Sequence, residues 1–143
     1  MNNQASLDKL VGKSLIYSYA CSPFIKRLFE ADKNLEQKSI EHISHPFSRQ
    51  EMESWLDAKK TLNEIDLNKS LRKLRQHVIA NIILRDLNQL AHLDEVLKSV
   101  TALAEVVLNH AHQFHFEVLK SMHGSPIGFN GQEQHLSIVG MGK

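Results

Sequence analysis

Apolar positions in this chain recur at three- and four-residue intervals over most of its length, the period of one face of an α-helix. Leu7, Leu10, Val11, Leu15 and Tyr19 define a first helix over roughly 5–20, weakened a little at Gly12. Ser22 followed by Pro23 marks a restart. The serine oxygen can accept from a free N–H of the first turn, and proline at the first helical position forfeits no intrahelical bond. That second helix carries Phe24, Ile25, Leu28 and Phe29. Asp32 to Pro46 is polar, with only Leu35, Ile40 and Ile43 in a helical pattern, and predicts a short helix and a loop. Ser48 stands three residues before Glu51, the spacing of a capping box, and opens a helix through Trp55 to about Leu62.

The strongest pattern begins near Asp66, where Leu67, Leu71, Leu74, Val78 and Ile82 form one stripe that Ile79, Ile83 and Leu87 widen. No glycine or proline interrupts it, so a long central helix is expected over about 66–88. After a break around Asn88 to His92, a second long helix over about 93–122 carries Val96, Val100, Leu103, Val107, Ala111, Phe114, Val118 and Leu119. Two long amphipathic helices joined by so few residues should pack antiparallel. From His123 to Gln134 the glycines, Pro126 and Asn130 predict an exposed loop. Leu136, Ser137, Ile138 and Val139 then read as a buried strand running into the glycine turn of Gly140 and Gly142. The expected fold is therefore all-α: a bundle of about five helices over 1–122, a Gly/Pro loop over 123–134, and a short C-terminal strand over 135–143. A lone strand leaves its backbone N–H and C=O groups without partners. The sheet it should join is expected to be missing, as in a helical leader cut from a longer enzyme.

A length of 143 residues suffices for one core. Seventeen basic against sixteen acidic residues give a net charge of +1, which argues against a dedicated nucleic-acid or membrane-surface protein as a whole-molecule property and leaves room for local patches. Cys21 is the single cysteine, so there is no disulfide framework and a reducing cytoplasm is the expected compartment. The N-terminus lacks the basic-then-apolar order of a secretory leader, and no apolar run approaches a membrane span.

Candidate chemistry is sparse. His110, His112 and His115 invite a metal reading, but on a helix only His112 and His115 share a face, and no acidic or cysteine partner sits four residues on. Lys69, Arg72, Lys73 and Arg75, with His77 and Arg85, make the central helix basic opposite its apolar stripe. The plain expectation is a solvated face with some pairing to Asp66 or Asp86; the alternative is a phosphate or nucleic-acid binder, although no aromatic residues interleave. Trp55, the only tryptophan, is expected to pack in a helix contact. The terminal Gly140-Met141-Gly142-Lys143 is not a P-loop, because the position five before the final Gly-Lys pair is Ser137. No Asp-x-Asp or Asp-x-Glu is present to hold two metal ions from a strand, and Glu51-x-Glu53 would diverge on a helix. No serine, nor Cys21, has a partner that would make it a nucleophile.

Three segments carry a resemblance: Leu71-Arg72-Lys73-Leu74-Arg75-Gln76-His77; Ile82 to Leu87 with Leu93-Asp94-Glu95-Val96; and Leu136 to Lys143. From Leu71 onward the chain resembles the bifunctional glutamine synthetase adenylyltransferase and adenylyl-removing enzymes; the first 65 residues match loosely, mainly from Ser22-Pro23-Phe24 to Leu28. The resemblance implies a cytoplasmic nitrogen-control enzyme with two nucleotidyltransferase-like domains. One removes AMP from a tyrosine of glutamine synthetase by phosphorolysis and the other attaches it from ATP. Both use magnesium and respond to the PII signal protein and glutamine. It places this chain in the helical region before the AMP-removing core, ending on that core's first strand, with glutamine synthetase and PII as partners and neither nucleic acid nor membrane. Gly140, Gly142 and Lys143 are the residues it puts near the nucleotide and phosphate turn. It implies no catalytic or metal-binding residue here, no cofactor bound to this chain alone, and magnesium with ATP, AMP or phosphate held by the rest of the enzyme. A self-contained helical protein-interaction module is the competing expectation.

Overall fold

The computed structural model describes residues 14–141, and within them the chain is helical, as the spacing predicts. Six helices follow one another: α1, described over residues 14–21, then α2 (Pro23–Ala31), α3 (Lys33–Glu41), α4 (Arg49–Asp57), α5 (Glu64–Leu87) and α6 (Leu93–His123). The starts of α2, α3, α4 and α5 are each set by a local side chain that satisfies free N–H groups of the first turn. Ser22 Oγ accepts from the Ile25 N–H at 3.3 Å with Pro23 at the first helical position. Asp32 accepts from the Leu35 N–H at 3.0 Å, which stops α2 and starts α3 in what reads from sequence as an ill-defined stretch. Ser48 and Glu51 form the full capping box of α4. Asn63 accepts from the Asp66 N–H at 2.9 Å and starts α5. Helix α4 ends at Asp57 rather than near Leu62, so Leu62 lies exposed in the link to α5.

The chain divides into two compact units, Met1–Val107 and Leu108–Lys143, with the boundary inside α6. In the first, α5 is a spine with a core on each side. Leu74, Val78 and Ile82 pack with Met52 and Leu56 of α4 and with Leu103 and Val106 of α6. Ala80 and Leu84, on the other side, pack with Ile25 and Phe29 of α2 and Leu35 of α3, and Leu15 and Tyr19 of α1 lean on this second cluster. From Val78 to Arg85 nearly every α5 side chain is buried or half-buried, which explains why a single stripe drawn from sequence undercounts its contacts. Trp55 packs on the first core, 5.8 Å ring to ring from His77, with Lys59 Nζ 4.7 Å over its indole.

α5 ends where Gln89 takes a left-handed backbone (φ 57°) and the Leu90 N–H donates to Arg85 O at 2.8 Å. The chain then reverses, and the first half of α6 runs back along α5. Its buried face is Ser99, Leu103 and Val106 with Val96 half-buried, whereas Val100, expected inside, is 43% exposed. α6 is apolar around much of its circumference, so periodicity alone does not choose which stripe faces α5.

In the second unit, Gly124 follows α6 with φ +80° and its N–H donates to Lys120 O at 2.9 Å. That is the left-handed helix stop that glycine adopts without Cβ strain. Residues 126–134 close a small loop through one bridge, Ile127 to Glu133, held by Lys120 Nζ to Glu133 Oε1 at 2.8 Å. Of the strand expected over 135–143, the described residues form none: 134–141 have no regular structure, and Leu136, Val139 and Met141 are exposed. The physical reason is the one that governs any isolated strand, for no neighbouring strand among the described residues receives its N–H and C=O groups. Replacing Leu74, fully buried between α4 and α6, by Ala should lower unfolding stability by about 3 kcal/mol, read as a shifted urea midpoint at unchanged slope.

Candidate functional site

Arg85, which sequence places on the basic face of α5, is placed inside by the structure, 5% exposed. Its Nε and Nη2 bind both oxygens of Glu95 at 2.8 and 2.9 Å, Nη2 also donates to Leu90 O, and Nη1 donates to Ile43 O at 2.7 Å. One turn earlier, the buried Asn81 amide donates to the carbonyls of His42 at 2.9 Å and His45 at 3.3 Å. Two side chains of α5 therefore fix the whole α3–α4 turn and the start of α6. The Arg85 hydrogen bonds hold the Glu95 carboxyl below its ordinary value.

Lys69, Arg72, Lys73 and Arg75 remain exposed and make no ion pair among the described residues, so the expected pairing with Asp66 or Asp86 does not occur. Arg72 and Arg75 flank an open groove between α5 and the first half of α6, floored by Leu71, Ile79, Val100 and Leu103. Its arms are cationic and its floor apolar.

Of the glycine-turn residues, Gly140 lies exposed with no atom within 4 Å of the position a Cβ would take. Gly142 and Lys143 fall outside the described residues. Gly140 is therefore not in a formed phosphate cradle among the described residues. His110, His112 and His115 lie along α6 and gather no third ligand among the described residues; His112 and His115 instead meet rings, Phe116 and Phe114.

A different trio does come together: His42 and His45 of the α3–α4 turn and Glu51 of the capping box, whose ligating atoms all lie within 4.8 Å of one another. Sequence reasoning passes over it because the three belong to a loop and a cap rather than to one helix face. The available signal is the His-x-x-His spacing just ahead of a capping glutamate. Burial pushes the His42 imidazole down, aided by His45 and Arg85, while Glu51 opposes this; the Ser48 hydroxyl holds the Glu51 carboxyl down. Two imidazoles and one carboxylate make a nitrogen-rich set. That set suits neither the oxygen-only preference of magnesium nor a nucleotide's phosphates, so the magnesium implied by the resemblance has no fitting home in this cluster.

Among the described residues these features define a helical module whose buried polar centre is structural. The sequence profile of the glutamate-ammonia ligase adenylyltransferase family matches residues 12–143, and the chain belongs to that family. Its relatives include the bifunctional glutamine synthetase adenylyltransferase/adenylyl-removing enzyme of Nitrosomonas eutropha, 39% identical over 127 residues that make up 85% of this chain and 14% of the relative. The enzyme of the same name from Aromatoleum aromaticum is 33% identical over 131 residues, 92% of this chain and 14% of the relative. This chain thus spans about one seventh of the length of the curated relatives it matches. No solved structure matches it.

Arg85→Ala would leave the Glu95 carboxylate and the Ile43 and Leu90 carbonyls without their donor; the expected loss is about 3 kcal/mol in denaturant melts. The lowered Glu95 carboxyl stabilises the fold fully above its ordinary value of 4.5 and loses that contribution as pH falls through the folded value. Stability measured from pH 6 downward should therefore fall less steeply in Glu95→Gln than in the parent chain.

Proposed function

We propose that this chain is the helical region preceding the adenylyl-removing core of a bifunctional glutamine synthetase adenylyltransferase/adenylyl-removing enzyme of the cytoplasm. In this reading it supports that core, offers a surface to glutamine synthetase or the PII signal protein, and supplies no catalytic group. The observation that carries it is the family match over 12–143 alongside relatives that align over only 14% of their own length.

The surface supports the same reading. Leu93, Leu97 and Val100 form an exposed apolar stripe on α6 at 73%, 56% and 43% exposure, and Leu136, Val139 and Met141 are bare in the tail. Contiguous exposed apolar surface marks a place where more protein packs. Gly140, Gly142 and Lys143 would then lie beside the nucleotide turn of the core. Magnesium, ATP, AMP and phosphate would be held by that core's own residues, where the cations would supply charge neutralisation. The residues of this chain contribute position: the Arg85 centre stiffens the first unit, and the α6 stripe meets the core. No helix among the described residues is long and apolar enough to cross a membrane.

Two measurements test this. The purified chain, given adenylylated glutamine synthetase, phosphate, magnesium and PII, should release no ADP above background, and measurable release would overturn the non-catalytic assignment. In the full-length enzyme, Leu97→Asp with Val100→Asp should reduce AMP removal by about tenfold or more while leaving α-helical content intact; unchanged activity would overturn the supporting role.

A further inference from the structure

The α3–α4 turn assembles a donor set that the function above does not use. His42 Nε2 lies 3.6 Å, and His45 Nε2 3.7 Å, from the same oxygen, Glu51 Oε1. Both gaps are too long for a hydrogen bond. They are close to the edge of a ligand tetrahedron: bonds of about 2.0–2.1 Å to zinc put neighbouring ligands about 3.3–3.4 Å apart. His42 Nε2 is shut from solvent and has no hydrogen-bond partner. A buried ring nitrogen left bare is uncommon, and an ion between the three side chains would satisfy it.

The supports behind these atoms aim them. Glu51 spends its other oxygen, Oε2, on the Ser48 N–H and hydroxyl, both at 2.7 Å, which turns Oε1 toward the two imidazoles. His45 Nδ1 lies 3.0 Å from Ser44 Oγ, leaving Nε2 as the free nitrogen. The His42 ring is held between His45 and Phe47, at centroid distances of 4.1 and 4.0 Å. The backbone of both histidines is pinned through its carbonyls by Asn81, and Arg85 pins Ile43 between them. Ligands positioned by a hydrogen-bonded outer layer of this kind are how proteins present metal sites.

We propose that His42, His45 and Glu51 form a zinc-class transition-metal site that staples the end of α3 to the first turn of α4, with its fourth position open to water or to a ligand from a partner. Two imidazoles with one carboxylate favour zinc over the oxygen-seeking magnesium and calcium ions. The inference stands on the geometry of this turn alone and is independent of the function proposed above.

The test uses the full chain, stripped with a chelator and dialysed. Titration with Zn²⁺ by calorimetry should give one equivalent per chain and raise the thermal midpoint, and Co²⁺ should give the intense visible bands of a four-coordinate site. His45→Ala, which removes a half-exposed ring from a loop, should fold normally by circular dichroism and weaken zinc binding by about 100-fold. Glu51→Gln should weaken binding too, and the double variant His112→Ala with His115→Ala should bind as the parent does. Absence of binding with zinc in large excess over protein would overturn the site. So would equal affinity in His45→Ala, or loss of binding in the α6 double variant.

Discussion

A guanidinium removed from water must be matched atom by atom, and the way Arg85 is matched organises the first unit of this molecule. The Coulomb cost of burying a charge is offset only when an opposite charge and further acceptors take up its N–H groups. Glu95 provides the charge, and the Ile43 and Leu90 carbonyls take the remaining donors. Those acceptors lie on the α3–α4 turn, on the link after α5 and on the first turn of α6. Satisfying one side chain therefore fixes the relation of three elements to the spine. Apolar contacts supply most of the stabilisation, but they are non-directional. The arginine adds direction, since α6 must present Glu95 inward.

That choice decides the rest of α6. With Glu95 turned toward Arg85, residues 99, 103 and 106 follow it inward at helical spacing, and Leu93, Leu97 and Val100 are left outside. The exposed apolar stripe is thus a consequence of where the buried ion pair sits. A helix with two apolar faces can bury one against its own bundle and leave the other exposed.

Asn81 acts in the same way a turn before Arg85 by holding the His42 and His45 carbonyls, so the α3–α4 turn is rigid although it has no regular structure of its own. Rigidity in an irregular segment is what a ligand site requires. It is also why the His42, His45 and Glu51 grouping escapes a reading by helix faces. Sequence reasoning looks for histidines at three- and four-residue spacing within one helix, which is how His112 and His115 attract notice. The grouping that forms draws on a C-cap, a loop and an N3 position instead.

The sequence by itself determined the local features whose physics is local. Ser22-Pro23, Ser48 with Glu51, the uninterrupted apolar run after Asp66 and the glycines after His123 set helix starts, the long spine and its final stop, because capping, helical period and left-handed backbone are properties of a few adjacent residues. The residues of the Leu71 to Val96 segments also carried the family resemblance. Tertiary structure alone decided that Arg85 is buried rather than solvated, that Val106 is buried while Val100 stays half-exposed in the groove beside the spine, and that the 135–141 segment stays unpaired. Each of these depends on a partner distant in the chain: an acid ten residues on, a carbonyl 42 residues back, or a sheet that no described residue provides. Hydrophobic period says that a position can be buried, while the matching of charges and backbone groups across elements selects which positions are.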